Sequence, residues 1–167
     1  MRRYESTPSS WDTHMTALRW LDPEHDTGVV RALGQRLRAR GSTLFCVWTG
    51  RRLRDDFEVD HCFPFAAWPC NDLWNLLPSS PPANRRKGDL LPASETLEQA
   101  RERMLEWWDM AYLRDAGLAA RFEDESRSAL PTSISEDGGV TPDSLFEGVM
   151  IQQVVLKRDQ QLGEWAP

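Results

Sequence analysis

The sequence predicts an α+β fold, in which a β-hairpin and a short helix form a core over residues 42–92 with helices on either side of it. A β-branched and aromatic run, a turn signal and a second apolar run indicate two strands in this core. Before and after the core, apolar residues recur at helical spacings. The 167 residues, 40% of them hydrophobic, suit one ordinary domain with a buried interior. We therefore expect an N-terminal helical segment over residues 1–41 and a C-terminal helical region over residues 93–167 that packs on the core.

The N-terminal segment contains two predicted helices. The first is short, spans Trp11–Leu21 and is interrupted by Asp22-Pro23. The second spans Glu24–Arg40 and is indicated by apolar residues at spacings of one, three and four, namely Val29, Val30, Leu33 and Leu37. Gly41 is well placed to end it.

The core begins with a predicted strand over Thr43–Trp48, followed by the turn signal Thr49-Gly50. Phe57–Asp60 is predicted to be the returning strand of this hairpin. Residues 61–73 contain two prolines and two cysteines and predict an irregular loop. The run Trp74–Leu77 is an ordered apolar patch after this loop.

The short helix of the core is predicted over Ala83–Gly88, because Pro81-Pro82 can occupy the first turn of a helix. Beyond Pro92 the pattern becomes helical again. Ser94 can cap a long helix that reaches about Asp115.

Two further helices are predicted in the C-terminal region. One spans Leu118–Leu130, and a linker rich in Ser and Gly follows it over residues 131–139. Thr141-Pro142 is a cap followed by a first-turn proline, so it opens the last helix.

Composition and charge exclude several classes of protein. The chain has no apolar run long enough to span a membrane, and the basic N-terminus has no apolar segment behind it that would make it a secretory signal. We therefore expect a soluble cytoplasmic protein. The net charge of −6 argues against simple electrostatic coating of nucleic acid. Basic residues do cluster locally, however, on either side of the second strand, at residues 51–54 and 85–87, which is compatible with a phosphate substrate.

Three cysteines are present, Cys46, Cys62 and Cys70, and no two of them form a C-x-x-C pair. A disulfide framework and a four-thiolate zinc site are therefore not expected. Reduced packing residues are the favoured interpretation, while Cys62 could alternatively tune the neighbouring Asp60-His61 pair.

The residues that indicate chemistry occur in one ordered set. Asp60 and His61 lie together where the second strand ends, Asn75 follows His61 by fourteen positions, and Asn84 follows Asn75 by nine. Lys87 comes three residues after Asn84. A strand that ends in Asp-His, a loop held by an Asn and a short helix that presents a polar group could close around one cation.

These residues lie in three motifs, VDHCFP, LWNLLP and NRRKGDLLP, in that order along the chain. The set resembles the HNH endonuclease family, whose nucleases have a ββα-metal fold, in a His-Asn-Asn version. The resemblance covers residues 46–92, and the spacing N-x-x-K-x-D from Asn84 to Asp89 is also similar to the HNH lobe of RNA-guided CRISPR effectors. The chain lacks the zinc-binding cysteines that many members add, so the flanking helices would have to support the core.

The resemblance implies a role for each residue of the set. His61 would be the general base that takes a proton from water. Asp60 and Asn84 would be the protein ligands of Mg²⁺ or Mn²⁺, since both offer hard oxygen atoms. Asn75 would hydrogen-bond backbone groups across the loop and so hold the base in place. Lys87, on the helical face of Asn84, would hold a phosphate.

Lys87 together with Arg85 and Arg86 would then contact the nucleic acid. Each residue also has a simpler interpretation. Asp60-His61 could be a polar end of a strand, Asn75 a loop-forming residue, and Asn84 a surface residue of the helix. The three basic residues could form a solvated face. No chemical role is assigned to Glu58, which is expected to point to solvent, or to His14 and His25. Of the Trp107-Trp108 pair, one residue is expected in the core and the other could lie at an interface.

The predicted function is therefore a metal-dependent nuclease that nicks or cleaves DNA, in a setting such as bacterial defence that rests on analogy alone. A second subunit or a protein partner would help to present the nucleic acid. The alternatives left open are an effector subunit that is active only when docked to a larger sensor or ATPase, and a nuclease directed at RNA. A fold that only binds nucleic acid is disfavoured, because every catalytic position holds a competent residue.

Overall fold

The structure is a computed structural model that describes residues 24–54, 56–134 and 138–167. The predicted helix Trp11–Leu21 and part of the predicted 131–139 linker lie outside these ranges. Five α-helices occur within the described residues: α1 Gly28–Ala39, α2 Pro81–Lys87, α3 Ser94–Trp108, α4 Ala116–Ala129 and α5 Pro142–Gln160. The strands are short: β1 Glu58–His61, β2 Leu76–Ser79, β3 Leu91–Pro92 and β4 Glu164–Trp165. Three further turns in the described part of the chain are helical, with 3₁₀ geometry at Leu73–Asn75 and Pro131–Ser133 and π geometry at Asp109–Leu113.

Strands β1 and β2 form an antiparallel pair in which Glu58 lies opposite Ser79 and His61 opposite Leu76. The predicted hairpin is therefore wrong in its partner, because β1 pairs with the apolar patch after the loop and not with residues 43–48. The earlier run folds back on itself instead. Phe45 and Arg52 form an isolated antiparallel β-bridge across a tight turn at residues 47–49. Residue types that favour extended backbone predict a strand but do not specify its partner.

Aromatic side chains of α3 and the turn after it cover β2. The indole of Trp107 and the hydroxyl of Tyr112 both donate to the carbonyl of Leu76, at 3.0 and 3.2 Å. Trp108 donates to the carbonyl of Trp74 at 3.1 Å. Buried backbone carbonyls need partners, and these three donors supply them from α3 and the turn after it, which also bury the strand. Both tryptophans of the predicted pair are thus buried in the core.

The helices of the C-terminal region follow the predicted pattern, except at the two ends of α3. The helix that begins near Ser94 is α-helical only to Trp108 and continues as a π turn. Ser94 does not cap it, because Ala93 is the N-cap residue and the Ser94 hydroxyl donates to Gln153. The predicted Thr141 cap is confirmed, since Thr141 and Ser144 form a reciprocal capping box at the start of α5.

After α5 the chain returns to the core. Strand β4 pairs in parallel with β3, and the Ala93 amide donates to the Trp165 carbonyl at 2.9 Å. The Trp165 ring packs edge-on against Trp48, with 5.8 Å between ring centroids. Buried apolar side chains of all five described helices thereby join one hydrophobic core.

Two composition-based expectations can be compared with the structure. Cys46, Cys62 and Cys70 are buried free thiols, as the packing interpretation predicts. Among the described residues, no helix combines the length and apolar character that crossing a bilayer requires.

Candidate active site

A cavity of about 450 Å³ lies between the end of β1, the loop that follows it and helix α2. Four of the candidate site residues predicted from the sequence line it together, namely Asp60, His61, Asn84 and Arg85. Other charged or aromatic residues that line it are His25, Phe65 and Asp89. The antiparallel pairing of β1 with β2, followed directly by α2, brings these groups to one place.

The Asp60 carboxylate is buried and held on both oxygen atoms. Trp48 Nε1 donates to Oδ2 at 2.6 Å, and Lys87 Nζ donates to Oδ1 at 3.2 Å. Burial raises the pKa of Asp60, while the Lys87 cation and the two hydrogen bonds oppose that rise. A carboxylate in this position is oriented firmly and has a cation beside it.

Lys87 differs from its prediction, because its side chain is 0% exposed and cannot reach a phosphate on the surface. The ammonium donates to Asp60 and, at 2.6 Å, to the carbonyl of His61. Helix α2 packs against β1 through the face that carries Ala83 and Lys87, four residues apart and both buried. Of the three basic residues at positions 85–87, only Arg85 and Arg86 therefore contribute positive charge to the surface.

The His61 ring is held by Asn71. His61 Nε2 lies 3.1 Å from Asn71 Oδ1, and the Asn71 amide nitrogen donates to the Glu24 carbonyl at 2.6 Å. The Asp26 amide also donates to Asn71 Oδ1. This bond and the bond to the Glu24 carbonyl together identify which end of the Asn71 amide is the oxygen. Nε2 therefore carries the proton, and the lone pair of the neutral ring is on Nδ1.

The imidazole of His61 is neutral at neutral pH. Burial lowers the pKa of His61 to about 4, with smaller contributions in the same direction from His25 and Lys87, while the Asn71 bond opposes the shift. Nδ1 receives no hydrogen bond from the described residues. A neutral ring with a fixed tautomer and an available lone pair can accept a proton.

Asn75 lies behind the cavity and not in it. Its Oδ1 accepts from the Phe63 amide at 2.9 Å, and its Nδ2 donates to the Cys70 carbonyl at 3.1 Å. Its backbone carbonyl also accepts from the Cys62 amide at 2.7 Å. Asn75 thus ties both ends of the loop that follows β1, which is the geometry that the resemblance implies for it.

Asn84 presents its amide toward the cavity with the nitrogen end occupied. Asn84 Nδ2 donates to Glu58 Oε2 at 2.7 Å, which leaves Asn84 Oδ1 without a described protein partner. Glu58 was expected to point to solvent, since it alternates with the buried Val59 along the strand. The structure instead places it against α2, where its carboxylate sets the orientation of the Asn84 amide.

Sequence reasoning missed three polar contributors to this region. His25 precedes α1, and its ring centroid lies 4.6 Å from that of His61. Asn71 and Glu58 hold His61 and Asn84, as described above. None of the three belongs to a local motif, and each reaches the site through the tertiary fold. A signal was present only for Glu58, which precedes Asp60 by two residues and so belongs to the same strand.

Arg85 and Arg86 are exposed and lie on different sides of α2. Arg85 lines the cavity, whereas Arg86 lines a separate groove with Trp48. Only Arg85 is therefore positioned beside the Asp60 and His61 side chains.

The oxygen donors at the cavity fit a hard divalent cation. Among the described residues no group of three or more His, Cys, Asp and Glu side chains is gathered as a metal site. Asp60 and Asn84 nevertheless offer a carboxylate and an unbonded amide oxygen at one cavity. Each carboxylate oxygen has a second lone pair beyond the bond it already accepts from Trp48 or Lys87. Two protein ligands suit Mg²⁺, which keeps several waters in its coordination shell.

Comparison of the chain with protein-family models, with curated proteins and with solved structures finds no match.

Proposed function

We propose that the chain is a metal-dependent endonuclease of the HNH type, which hydrolyses phosphodiester bonds with DNA as its substrate. The observation that carries the proposal is the cavity at which His61, Asp60 and Asn84 meet. The order of strand, loop, strand and short helix along β1, β2 and α2 supports it, as does the ordered motif set.

His61 acts in this mechanism as the general base. Its Nδ1 lone pair takes a proton from a water molecule, so that hydroxide attacks the phosphorus atom. The bond from phosphorus to the 3′ oxygen breaks, and the 3′ oxygen leaves as a hydroxyl once it is protonated, opposite a 5′-phosphate end. Asn71 keeps the proton on Nε2 and the ring in place. Because burial keeps the ring neutral, the base is ready at neutral pH without prior deprotonation.

Asp60 and the Oδ1 atom of Asn84 would hold Mg²⁺ or Mn²⁺. When bound, such an ion supplies charge neutralisation at the phosphate and at the leaving oxygen. Glu58 accepts a hydrogen bond from Asn84 Nδ2 and thereby fixes the orientation of the Asn84 amide, which lines the cavity. Trp48 and Lys87 orient the Asp60 carboxylate from the opposite side.

The test is incubation of the purified chain with plasmid DNA and with RNA, in Mg²⁺, in Mn²⁺ and in EDTA. We expect nicking or cleavage of DNA that requires the metal, and a loss of about 10²–10⁴-fold in His61→Ala. Ser128→Ala, at an exposed position of α4, is the control and keeps the wild-type rate. Cleavage by His61→Ala at the wild-type rate would overturn the role of His61.

The remaining outcomes separate the alternatives. Cleavage of RNA in preference to DNA would change the substrate class. An inactive chain that still binds Mn²⁺ in a manner dependent on Asp60 would favour the effector subunit that needs a larger partner. An inactive chain that binds no divalent metal would overturn the nuclease proposal.

A further inference from the structure

The described arginines differ in their charge environment. In and beside helices α3–α5, most pair with neighbouring carboxylates: Arg101 with Asp143, Arg114 with Asp109, Arg121 with Glu125, Arg127 with Glu123 and Arg158 with Asp159. Arg51, Arg52 and Arg86 form no ion pair with any described residue, and all three are exposed. Other exposed arginines, such as Arg31 and Arg36 of α1, also form no ion pair with a described residue, so what sets one region apart is that four arginines converge there.

That region is a groove of about 590 Å³ on the far side of α2 from the cavity. Four arginines line it, Arg51, Arg52, Arg86 and Arg103, and we call it the arginine groove. Its other lining residues are Trp48, Thr49, Ser80, Pro82, Gln99 and Pro167, so no described Asp or Glu side chain lines it. Arg52 also lines an adjoining cleft together with Arg54.

Arg103 differs from the other three because it is already anchored. Its Nε donates to the Val47 carbonyl at 2.6 Å, and the side chain is half-buried. This bond leaves both Nη groups unbonded to described residues at the groove. An anchored guanidinium loses less conformational freedom when it binds an anion, and its two outer nitrogens match two oxygens of a phosphate.

Helix α2 and Trp48 lie between the arginine groove and the cavity. Helix α2 separates them, with Arg85 on the cavity side and Arg86 on the groove side. Trp48 lines the groove and donates its indole N–H to Asp60.

We propose that the arginine groove binds the phosphate backbone of a nucleic acid, next to the phosphate that lies at His61. This inference rests on the proposed function, since it names the surface through which the substrate is held. It assigns the backbone contacts to Arg51, Arg52, Arg86 and Arg103. Lys87, which the sequence had placed among the nucleic-acid-binding residues, is replaced in that role because it is buried.

The test is the affinity for a short labelled DNA duplex, and for an RNA duplex of the same sequence, across a salt series in Ca²⁺. The variants are Arg52→Ala, Arg86→Ala and Arg103→Ala. Each removes one phosphate contact, so we expect binding about tenfold weaker and a salt dependence lower by about one counterion. Arg127→Ala, an exposed arginine paired with Glu123, is the matched control and leaves both quantities unchanged.

Salt slopes of the three variants equal to that of Arg127→Ala would overturn the proposal and leave the groove a solvated surface. An equal loss of affinity in Arg127→Ala would also overturn it, because the effect would then follow net charge and not the groove. Failure of the nuclease proposal looks different. If the wild-type chain cuts nothing while the groove variants alone lose affinity, the groove stands and the catalytic assignment falls.

Discussion

Asp60 and His61 are adjacent in the chain, yet the proposed chemistry requires the first to be charged and the second to be neutral. Both are buried, and burial alone would favour the neutral form of each. The tertiary environment distinguishes them, because Lys87 and Trp48 stabilise the Asp60 carboxylate while His25 and Lys87 disfavour a cation on His61. Lys87 therefore acts on the two neighbours in opposite ways, since it opposes the rise in the pKa of Asp60 that burial causes and adds to the fall in the pKa of His61.

The first prediction concerns the pH dependence of His61. Its pKa is lowered to about 4, so the base is protonated only as the pH falls through that value and the imidazole remains active down to about pH 5. Asn71→Asp places a carboxylate against Nε2, which stabilises the imidazolium and raises the pKa. We expect the acid limb of the rate profile to move to higher pH in this variant.

NMR titration of the His61 imidazole measures the same shift without relying on cleavage. Asn71→Ala serves as the comparison, because it removes the hydrogen bond without adding charge and moves the pKa the opposite way or not at all. An His61 titration in Asn71→Asp that coincides with the wild-type curve would show that Asn71 does not contact the ring in solution.

The second prediction concerns Lys87. Lys87→Met removes the cation and leaves the Asp60 carboxylate buried and unpaired, so we expect a loss of about 3–5 kcal/mol in the free energy of unfolding. Urea denaturation measures it. Because the ammonium is buried, the number of counterions released on binding nucleic acid is unchanged in any variant that still folds.

Adding Asp60→Asn to Lys87→Met restores part of the stability, because the double variant buries no unpaired charge. A double variant with the summed losses of the two single variants would mean that the two groups do not interact. In that case the contact at 3.2 Å would contribute nothing to stability.

At the scale of elements, the loop between β1 and β2 positions the base. It leaves β1 directly after His61, and its return is held by the side chain of Asn75 and not by regular secondary structure. Two loop residues, Asn71 and Phe65, lie against the His61 ring. The loop therefore acts as part of the site, although its backbone is irregular.

The third prediction is that Asn75→Ala loosens this loop. The change leaves the buried Phe63 amide and Cys70 carbonyl without their partner, which costs about 1–3 kcal/mol for each unsatisfied group. We expect faster hydrogen exchange at the Phe63 amide and a partial loss of cleavage, with metal affinity retained. A Phe63 amide as protected as in the wild type would contradict the assignment.

At the scale of the whole molecule, the last residues of the chain support the site from behind. Trp165 packs against Trp48, and Trp48 donates to Asp60. The segment is held by β4 pairing with β3 and by the Thr96 hydroxyl, which donates to the Trp165 carbonyl at 3.3 Å. Residues far apart in sequence thereby share one packed unit.

The fourth prediction is that Trp165→Ala destabilises both the fold and the site. Trp165 is buried, and truncation of a buried tryptophan typically costs about 3–5 kcal/mol. We also expect weaker Mn²⁺ binding in calorimetric titration, because Trp48 loses the partner that fixes its position. Ile151→Ala is the control, since Ile151 is 49% exposed and its truncation changes stability by about 0.5 kcal/mol or less.

A Trp165→Ala protein with the stability of Ile151→Ala would show that the terminal segment does not pack on the core in solution. Normal Mn²⁺ affinity in a destabilised variant would separate the two effects, and would mean that Trp48 holds Asp60 without help from Trp165.

The sequence by itself determined the features that depend on neighbouring residues. Helical periodicity, the Pro81-Pro82 start and the Thr141 cap predict helices correctly, because these signals act within a few residues of one another. The ordered motif set also indicated Asp60, His61 and Asn84 as residues to consider together, and they line one cavity in the structure.

Only the tertiary structure decided which distant groups meet. The partner of β1, the burial of Lys87 against Asp60, and the arrival of His25 and Asn71 at His61 all join residues that no local pattern relates. The separation of Arg85 from Arg86 by α2 likewise depends on which face of the helix packs on β1. Strand pairing and face selection are governed by burial across the whole core, and a residue's own type does not encode its position in that core.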